Sequence, residues 1–214
     1  MSRMPDETGR ESRADPFTQA GRHLFPRRMI VGLAVAVLGM LIVRPRHFFG
    51  KYETLGMVVS CGFLLLGLAL RAWAAASAGG HTRTGKIEAP RLSTGGPYAY
   101  VRNPIYLGSF LLGLGIIGLI GDPWLLVPHL LVFAFFFGGI VRAEEHFLGQ
   151  QFGAEYAQYR RAVPKFLPML RPWPGRTERR LLWSAARGEA VIGMLAILIY
   201  AAFRAVLFFQ AHRG

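Results

Sequence analysis

Long apolar blocks constrain this chain more than any other feature of its sequence. Five of them approach the roughly 20 residues that a helix needs to cross a bilayer. They cover residues 29–43, 55–78, 105–120, 124–141 and 190–209. Hydrophobic residues make up 52% of the 214 residues, more than one soluble core of this size needs, and they do not alternate with polar ones. The sequence therefore predicts an all-α fold, a polytopic transmembrane bundle of about five spanning helices.

Polar stretches divide the chain into three regions. Residues 1–28 are polar, mixed in charge and broken by prolines, which predicts a partly disordered cytoplasmic tail. Residues 29–170 form the predicted membrane core, and residues 171–214 a basic linker with an additional C-terminal transmembrane helix. The block at 29–43 is followed directly by an arginine-proline-arginine sequence, where a cleaved signal peptide would have small residues. We therefore interpret this block as an uncleaved anchor.

The formal net charge of +13 comes from basic residues that flank the apolar blocks. This distribution suits anionic headgroups better than nucleic acid, which is not an expected partner because zinc-ligand sets and RNA-binding signatures are missing. The loop around Asp122 has no basic residue, whereas residues 142–187 carry nine. The positive-inside rule therefore predicts that residues 142–187, the N-terminus and residues 81–102 face the cytoplasm. Three basic residues within 44–51 then fall on the opposite side, which is a mild contradiction.

A polar and aromatic segment, residues 95–108, joins a predicted cytoplasmic loop to the third block. Asn103 followed by Pro104 is typical of an N-cap and a first helical position, so a helix is predicted to begin here. Its unpaired N–H groups and positive dipole end can attract a carboxylate, such as the one on the methionine moiety of S-adenosylmethionine. The alternative is that Asn103 only caps the helix and the neighbouring tyrosines are interfacial anchors.

Acidic residues mark the end of the fourth block, where Glu144 and Glu145 follow Arg142. From there to residue 161, apolar residues recur at spacings of three and four, which predicts a cytoplasmic amphipathic helix after the fourth span. Its apolar face begins at the carboxylate and comprises Glu145, Leu148, Phe152, Tyr156 and Tyr159. Carboxylates at the mouth of a bundle can bind ribose hydroxyls or a cationic group. The alternative is a surface helix whose glutamates are solvated or paired with Arg142.

Two other patterns predict no cofactor site. Gly113, Gly115 and Gly118 spell a dinucleotide-binding fingerprint, but they lie in an apolar helix that no strand precedes. Small residues there are expected to let helices approach closely. The histidines lack metal-ligand spacing, so no metal is expected.

Together, the two polar segments resemble the isoprenylcysteine carboxyl methyltransferase family and the wider set of small membrane methyltransferases that includes phospholipid N-methyltransferases. The resemblance covers roughly residues 55–170. It is carried by Gly96-Pro97-Tyr98, Tyr100-Val101-Arg102-Asn103-Pro104, Tyr106, Gly108, Glu144-Glu145, Leu148, Phe152-Gly153, Tyr156, Tyr159 and Val163-Pro164. The sequence Arg-Ala-Trp-Ala at 71–74 is similar to bacterial members, so a bacterial inner membrane is expected, with the active site facing the cytoplasm.

The resemblance implies S-adenosylmethionine as cofactor and a lipophilic small molecule or lipid, reached from the membrane, as substrate. The residues implied to line the cofactor pocket are Tyr98, Val101, Arg102, Asn103, Pro104, Tyr106 and Leu107, with Glu144 and Glu145 on the other side. Asn103 stands where carboxyl methyltransferases usually have histidine. Asparagine does not titrate near neutral pH, which argues against a proton-accepting role at this position.

The acceptor decides which residues would be catalytic. A carboxylate, as in an isoprenylcysteine-like substrate, is the favoured acceptor and needs an arginine to hold it, for which the candidates are Arg102, Arg142 and Arg160. An amine or thiol acceptor, as in phospholipid N-methylation or thiol S-methylation, needs a base, for which Glu144 or Glu145 is the candidate. A non-catalytic helical membrane protein derived from this family is the remaining alternative, and the sequence leaves the oligomeric state open.

Overall fold

The computed structural model of the chain describes residues 49–79, 89–177 and 180–212, together with residues 16, 19, 20, 23, 34, 38, 39 and 41–44. Most of the predicted N-terminal tail and of the first apolar block lie outside the described residues. So do residues 80–88 of the predicted cytoplasmic loop and residues 178 and 179 of the basic linker. In the part of the chain that is described, all regular secondary structure is helical, so the predicted fold class is confirmed.

The long helices coincide with the apolar blocks of the sequence. Their bounds are Glu53–Ala78 (α1), Pro104–Ile120 (α2), Leu126–Leu131 (α3), Gly138–Ala162 (α4) and Arg187–Ala211 (α5). A π-helical segment joins α3 to α4, so that the helical run from residue 123 to residue 162 is continuous over 40 residues. Within the described residues, three helical runs are long and apolar enough to cross a membrane, and α2 is a shorter apolar helix.

Glycines allow α1 and α2 to pack with their backbones close together, and this is the most extensive contact between helices in the described structure. A Cβ atom at Gly115 would lie 2.7 Å from Leu64 N and 2.8 Å from the Ser60 carbonyl oxygen. A Cβ at Gly67 would likewise lie 2.7 Å from the Gly108 carbonyl oxygen. Lipid chains are as apolar as leucine side chains, so helices in a bilayer associate through such close packing. The expectation that the glycine pattern serves helix packing is confirmed.

A tight turn connects α2 to α3. Gly121 ends α2 in the left-handed region with φ of 80°, which glycine adopts without steric cost. The Asp122 side chain, almost fully buried, accepts from Trp124 N at 3.1 Å and from Arg44 N at 2.9 Å. The Arg44 contact places the end of the first apolar block beside this turn. A buried apolar cluster joins the end of this block, the α2–α3 turn and α5, and its members are Val43, Ile120, Leu125, Phe203 and Leu207.

The predicted amphipathic helix after the fourth span is present, and it continues the spanning helix without a break at residue 142. Helix α4 continues through residue 142 to Ala162, and its backbone leaves helical geometry only at Gly153, with φ of 48° and ψ of −118°. Residues 142–152 contain no proline and pack as one helix, whereas glycine tolerates a positive φ. Glu144 and Glu145 therefore lie on the same unbroken helical stretch as the membrane-spanning part.

Replacing Gly115 with alanine tests the packing of α1 against α2. The added Cβ would overlap the α1 backbone, so we expect the free energy of unfolding to fall by about 1–3 kcal/mol. Thermal unfolding of the detergent-purified protein measures this change. Gly62→Ala is the matched control, because a Cβ at Gly62 has no atom within 4 Å. Equal melting temperatures for the two variants would contradict the close approach.

Candidate active site

The first motif (residues 96–108) begins with a short bridge that joins the preceding loop to α2. The second motif (residues 144–164) lies on α4 and directly after it. Residues Gly96–Ala99 make one 3₁₀ turn, and Asn103 precedes the first residue of α2. The chain that follows α4 lies along this bridge and is hydrogen-bonded to it through the backbone. Arg102 N donates to the Pro164 carbonyl at 2.9 Å, and Met169 N donates to the Tyr100 carbonyl at 3.0 Å. Residues more than 60 positions later in the chain therefore hold this motif in place.

Arg102 connects the first motif to the second. Its Nε and Nη2 atoms each lie 3.1 Å from Glu145 Oε1. Its Nη1 atom donates to the carbonyl oxygens of Arg160 at 2.7 Å and Val163 at 2.6 Å. Lys165 Nζ lies 3.3 Å from the other carboxylate oxygen of Glu145. One guanidinium thus binds the carboxylate and the C-terminal end of α4, whose last carbonyls have no partner within the helix.

Glu145 is not the solvated or Arg142-paired glutamate of the alternative interpretation. Its side chain is 10% exposed and that of Arg102 11% exposed, so both charges are largely removed from water. Burying a charge is unfavourable unless it is paired and hydrogen-bonded. Pairing with both Arg102 and Lys165 meets that requirement, and it leaves a net positive charge on the three groups.

The neighbouring glutamate contacts α2. The Tyr106 hydroxyl donates to Glu144 Oε1 at 2.6 Å. Tyr106 is buried and packs against Ile140 and Val141, one helical turn before the two glutamates. The structure therefore brings the two motif segments, 38 residues apart at this contact, to one place.

Asn103 occupies the N-cap position of α2, but its side chain makes no capping hydrogen bond. Instead, Asn103 Nδ2 donates to the Lys165 carbonyl at 3.2 Å. The expected capping role of this side chain is therefore wrong, although the helix does begin where predicted. Pro104 at the first helical position lacks an N–H group, which removes one of the donors that a cap would satisfy. Asn103 instead helps to hold the segment that follows α4.

The remaining residues of the first motif differ in exposure. Val101 and Pro104 are fully buried, and Leu107 is half-buried. Burial raises the pKa of the half-exposed Tyr98, and the nearby carboxylate of Glu144 raises it further. The Tyr98 hydroxyl therefore stays protonated at neutral pH and can donate a hydrogen bond. Its backbone carbonyl accepts from the Tyr159 hydroxyl at 2.8 Å.

An aromatic cluster supports the site from the far side of the Gly153 kink. Tyr156, Tyr159 and Val163 are buried against Leu92, with Leu148 and Phe152 packed around them. The predicted apolar face is thus confirmed for its apolar members, because the backbone break at Gly153 does not separate them. Among the described residues, the buried Tyr156 hydroxyl has no hydrogen-bond partner. A buried polar atom without a partner is unfavourable, so this hydroxyl is a candidate contact for a ligand.

The two other candidate arginines are placed differently. Arg142 and Arg160 have exposed side chains. Arg160 enters the network through its backbone carbonyl, as an acceptor for Arg102. Exposed guanidinium groups beside a carboxylate network can meet an anionic substrate from outside.

Sequence reasoning missed Lys165 and the ion pair of Arg71 with Glu189. Lys165 directly follows the Val163-Pro164 motif, and this adjacency was the available signal. Arg71 and Glu189 are 118 positions apart, and their Nε and Oε2 atoms lie 2.7 Å apart. In the described residues, no group of three or more His, Cys, Asp and Glu side chains could hold a metal ion.

Comparison with known proteins assigns the region that contains both motifs. Residues 55–155 match the family model described as "Phospholipid methyltransferase". The chain is therefore similar to this family over 101 of its 214 residues. The match includes α1, α2 and the part of α4 that carries Glu144 and Glu145, and it ends before Tyr159. No solved structure matches the chain significantly.

Individual proteins that are similar to this chain have more specific names. The chain is 37% identical over 126 residues to the protein-S-isoprenylcysteine O-methyltransferase of Schizosaccharomyces pombe, covering 57% of this chain and 52% of that protein. It is 31% identical over 118 residues to the enzyme of the same name from Xenopus laevis, covering 53% and 41%. It is also 33% identical over 86 residues to the cobalt-zinc-cadmium resistance protein CzcN of Cupriavidus metallidurans, covering 40% and 39%. The chain therefore spans about half the length, or less, of these curated relatives.

Removing Arg102 tests whether it holds the site together. Arg102→Ala leaves Glu145 with Lys165 alone and frees two carbonyls at the end of α4. Breaking a buried ion pair on one side costs about 3–5 kcal/mol, so we expect a clear fall in melting temperature. The control is Arg161→Ala, which removes an exposed arginine from the same helix end. Similar unfolding temperatures in the two variants would show that Arg102 does not have this structural role.

Proposed function

We propose that this chain is an S-adenosylmethionine-dependent methyltransferase whose acceptor is lipophilic and reaches the site from the membrane. One observation carries the proposal. Two motif segments that are separate in sequence meet through Arg102–Glu145 and Tyr106–Glu144 contacts at the end of an apolar helical bundle. A family region of methyltransferases and relatives named as methyltransferases support the same reaction class.

The residues present fit the proposed cofactor. S-adenosylmethionine has cationic groups and ribose hydroxyls, which need carboxylate acceptors, and it has a carboxylate and an adenine, which need donors and an apolar surface. Glu144 and Glu145 are the acceptors at the site. The Tyr98 hydroxyl is available as a donor, and the unpaired Tyr156 hydroxyl offers a further polar contact inside the aromatic cluster.

Bound there, S-adenosylmethionine would supply the electrophilic methyl group. The protein then has to align the acceptor and exclude water, which can account for several orders of magnitude in rate. Arg102 acts as a positioning residue, because its donors bind Glu145 and the end of α4. Glu144, held by the Tyr106 hydroxyl, presents a negative charge to a cationic group.

For the acceptor, we favour a carboxylate of the isoprenylcysteine type. The names of the relatives from fission yeast and Xenopus support this choice. A carboxylate is already anionic, so it needs a cationic holder and not a base. Arg142 and Arg160, whose side chains are exposed, are our candidates for this holder, since Arg102 binds Glu145 and the end of α4.

Phospholipid amine methylation is the second candidate, and the description of the matching family favours it. An amine must lose a proton before it attacks the methyl group, so a base is required. Glu144 is then the candidate base, since Glu145 is engaged by two cations.

We place the site at the cytoplasmic face of a membrane. The end of the bundle that carries the site also carries Arg102, Arg142, Arg160 and Lys165, whereas the α2–α3 turn has no basic residue of its own and only Arg44 is described beside it. Excess positive charge marks the cytoplasmic side of membrane proteins.

Replacing Glu144 with glutamine tests the cofactor site without removing the acceptor of the Tyr106 hydroxyl. The detergent-purified protein is expected to bind S-adenosylhomocysteine with a dissociation constant on the order of micromolar in isothermal titration calorimetry. Glu144→Gln should weaken this binding by about tenfold, because the charge is lost while the shape is kept. The exposed Glu155→Gln on the same helix is the control. Wild-type protein that gives no heat at millimolar ligand would refute the proposed function.

The acceptor class is tested with radiolabelled methyl donor and membranes as substrate source. An isoprenylcysteine-type acceptor is expected to give label that base treatment releases as methanol, because the product is an ester. Label that extracts with the lipids and that base treatment does not release as methanol would instead support amine methylation. Arg160→Gln should raise KM for a carboxylate acceptor and leave an amine acceptor unaffected, and the reverse pattern would contradict the favoured acceptor.

A further inference from the structure

The C-terminal helix α5 carries a buried carboxylate that the family region does not include. Glu189 lies in the first turn of α5, beyond residue 155 where the family match ends. Its side chain is 7% exposed, and its Oε2 atom lies 2.7 Å from Arg71 Nε. Burying an ionisable side chain in an apolar bundle is energetically unfavourable, so a buried pair of this kind suggests a functional role.

Arg71 also forms hydrogen bonds with the first turns of α2. Its Nη1 atom donates to the Ile105 carbonyl at 3.4 Å and to the Ser109 hydroxyl. Ser109 also donates to the Ile105 carbonyl at 2.9 Å, so the three groups form a closed set. A Cβ at Gly108 would lie 2.6 Å from Arg71 Cγ, and the motif glycine therefore makes room for the arginine.

The same part of α2 carries Tyr106, whose hydroxyl donates to Glu144. Ile105 and Ser109 flank Tyr106 within one helical turn, so Arg71 constrains the backbone from which Tyr106 projects. Electrostatics agree with this proximity. Burial raises the pKa of Tyr98 most, Glu144 raises it further, Arg71 lowers it and Glu189 raises it slightly. The Glu189–Arg71 pair and Glu144 therefore act on the same hydroxyl.

Contacts on both sides of Glu189 fix its position along the axis of α1. Gly193, one turn after Glu189, packs against the Leu68 side chain. A Cβ atom at Gly193 would lie 3.5 Å from Leu68 Cδ2 and 3.6 Å from Leu68 Cδ1. Before α5, Leu182 N donates to the Ala76 carbonyl at 3.0 Å. The C-terminal helix is thus attached to α1 on both sides of the ion pair.

We propose that Glu189 is a positioning residue of the site, acting through Arg71 to set the first turn of α2 and with it the Tyr106–Glu144 pair. The inference rests on the proposed function, because its consequence is measured on cofactor affinity. The C-terminal helix is then a working part of the site and not only an additional membrane anchor.

The experiment measures the dissociation constant of S-adenosylhomocysteine for the full chain in detergent. Glu189→Gln is expected to raise it about tenfold, and Glu189→Asp, which keeps the charge, to restore it to within about threefold of wild type. Arg204→Gln, which removes an exposed charge from the same helix, is the control and should bind as wild type does. A merely structural helix would lose stability in Glu189→Gln and keep its affinity at temperatures well below unfolding.

A double-mutant cycle tests whether Glu189 affects the site through Arg71. If Glu189 acts through Arg71, Glu189→Gln adds no further loss in an Arg71→Gln background. This comparison also covers the case in which the single Glu189→Gln variant fails to fold, since the double variant contains neither charge. A further loss in the double variant, or wild-type affinity in Glu189→Gln or Arg71→Gln, would overturn the inference while the proposed function stands. No binding by the wild-type protein would overturn both.

Discussion

The ion pair between Arg102 and Glu145 joins parts of the chain that no local interaction would bring together. Arg102 ends the bridge before α2, Glu145 lies in the middle of α4, and the carbonyls at the end of α4 accept the remaining donors of the same guanidinium. Because both charges are about nine-tenths shielded from water, neither can lose its partner without a large unfavourable change in solvation. The position of the second motif relative to the first follows from this pairing. Lys165 and Asn103 then hold the segment that leaves α4.

A second buried pair, Arg71 with Glu189, does for α5 what Arg102 and Glu145 do for α4. Each pair contains one residue from the region of the first motif or its packing partner and one from a later helix. In a bundle surrounded by lipid, apolar contacts alone distinguish poorly between alternative helix arrangements, since lipid is as apolar as the helix surfaces. Buried charges are more selective, because only one arrangement satisfies them. The close glycine contacts of α1 and α2 complete the arrangement by fixing the distance between the two helices.

The helical elements could be predicted well because the membrane leaves the backbone few options. Every polar backbone group in the apolar region must be satisfied internally, so a block of roughly 20 apolar residues becomes a helix almost regardless of its detailed composition. The start of α2 at Pro104 and its end at Gly121 follow from local chemistry. The break in α4 could not be placed in the same way. Residues near 142 change from apolar to charged without any reason for the backbone to change, and the helix continues until Gly153 permits a positive φ.

The candidate site was less predictable than the helices. Motif residues such as Tyr106 and Glu144 could be expected near one another from the family resemblance, whereas the partners of Arg102, Asn103 and Glu189 could not. Asn103 is instructive, because its sequence context is that of a helix cap and its side chain binds the Lys165 carbonyl instead. The sequence by itself determined the helical class, the helix termini with proline and glycine signals, and the identity of the charged residues that must be paired. Only the tertiary structure decided which charges pair, because a buried charge requires a partner but does not specify where in the chain that partner lies.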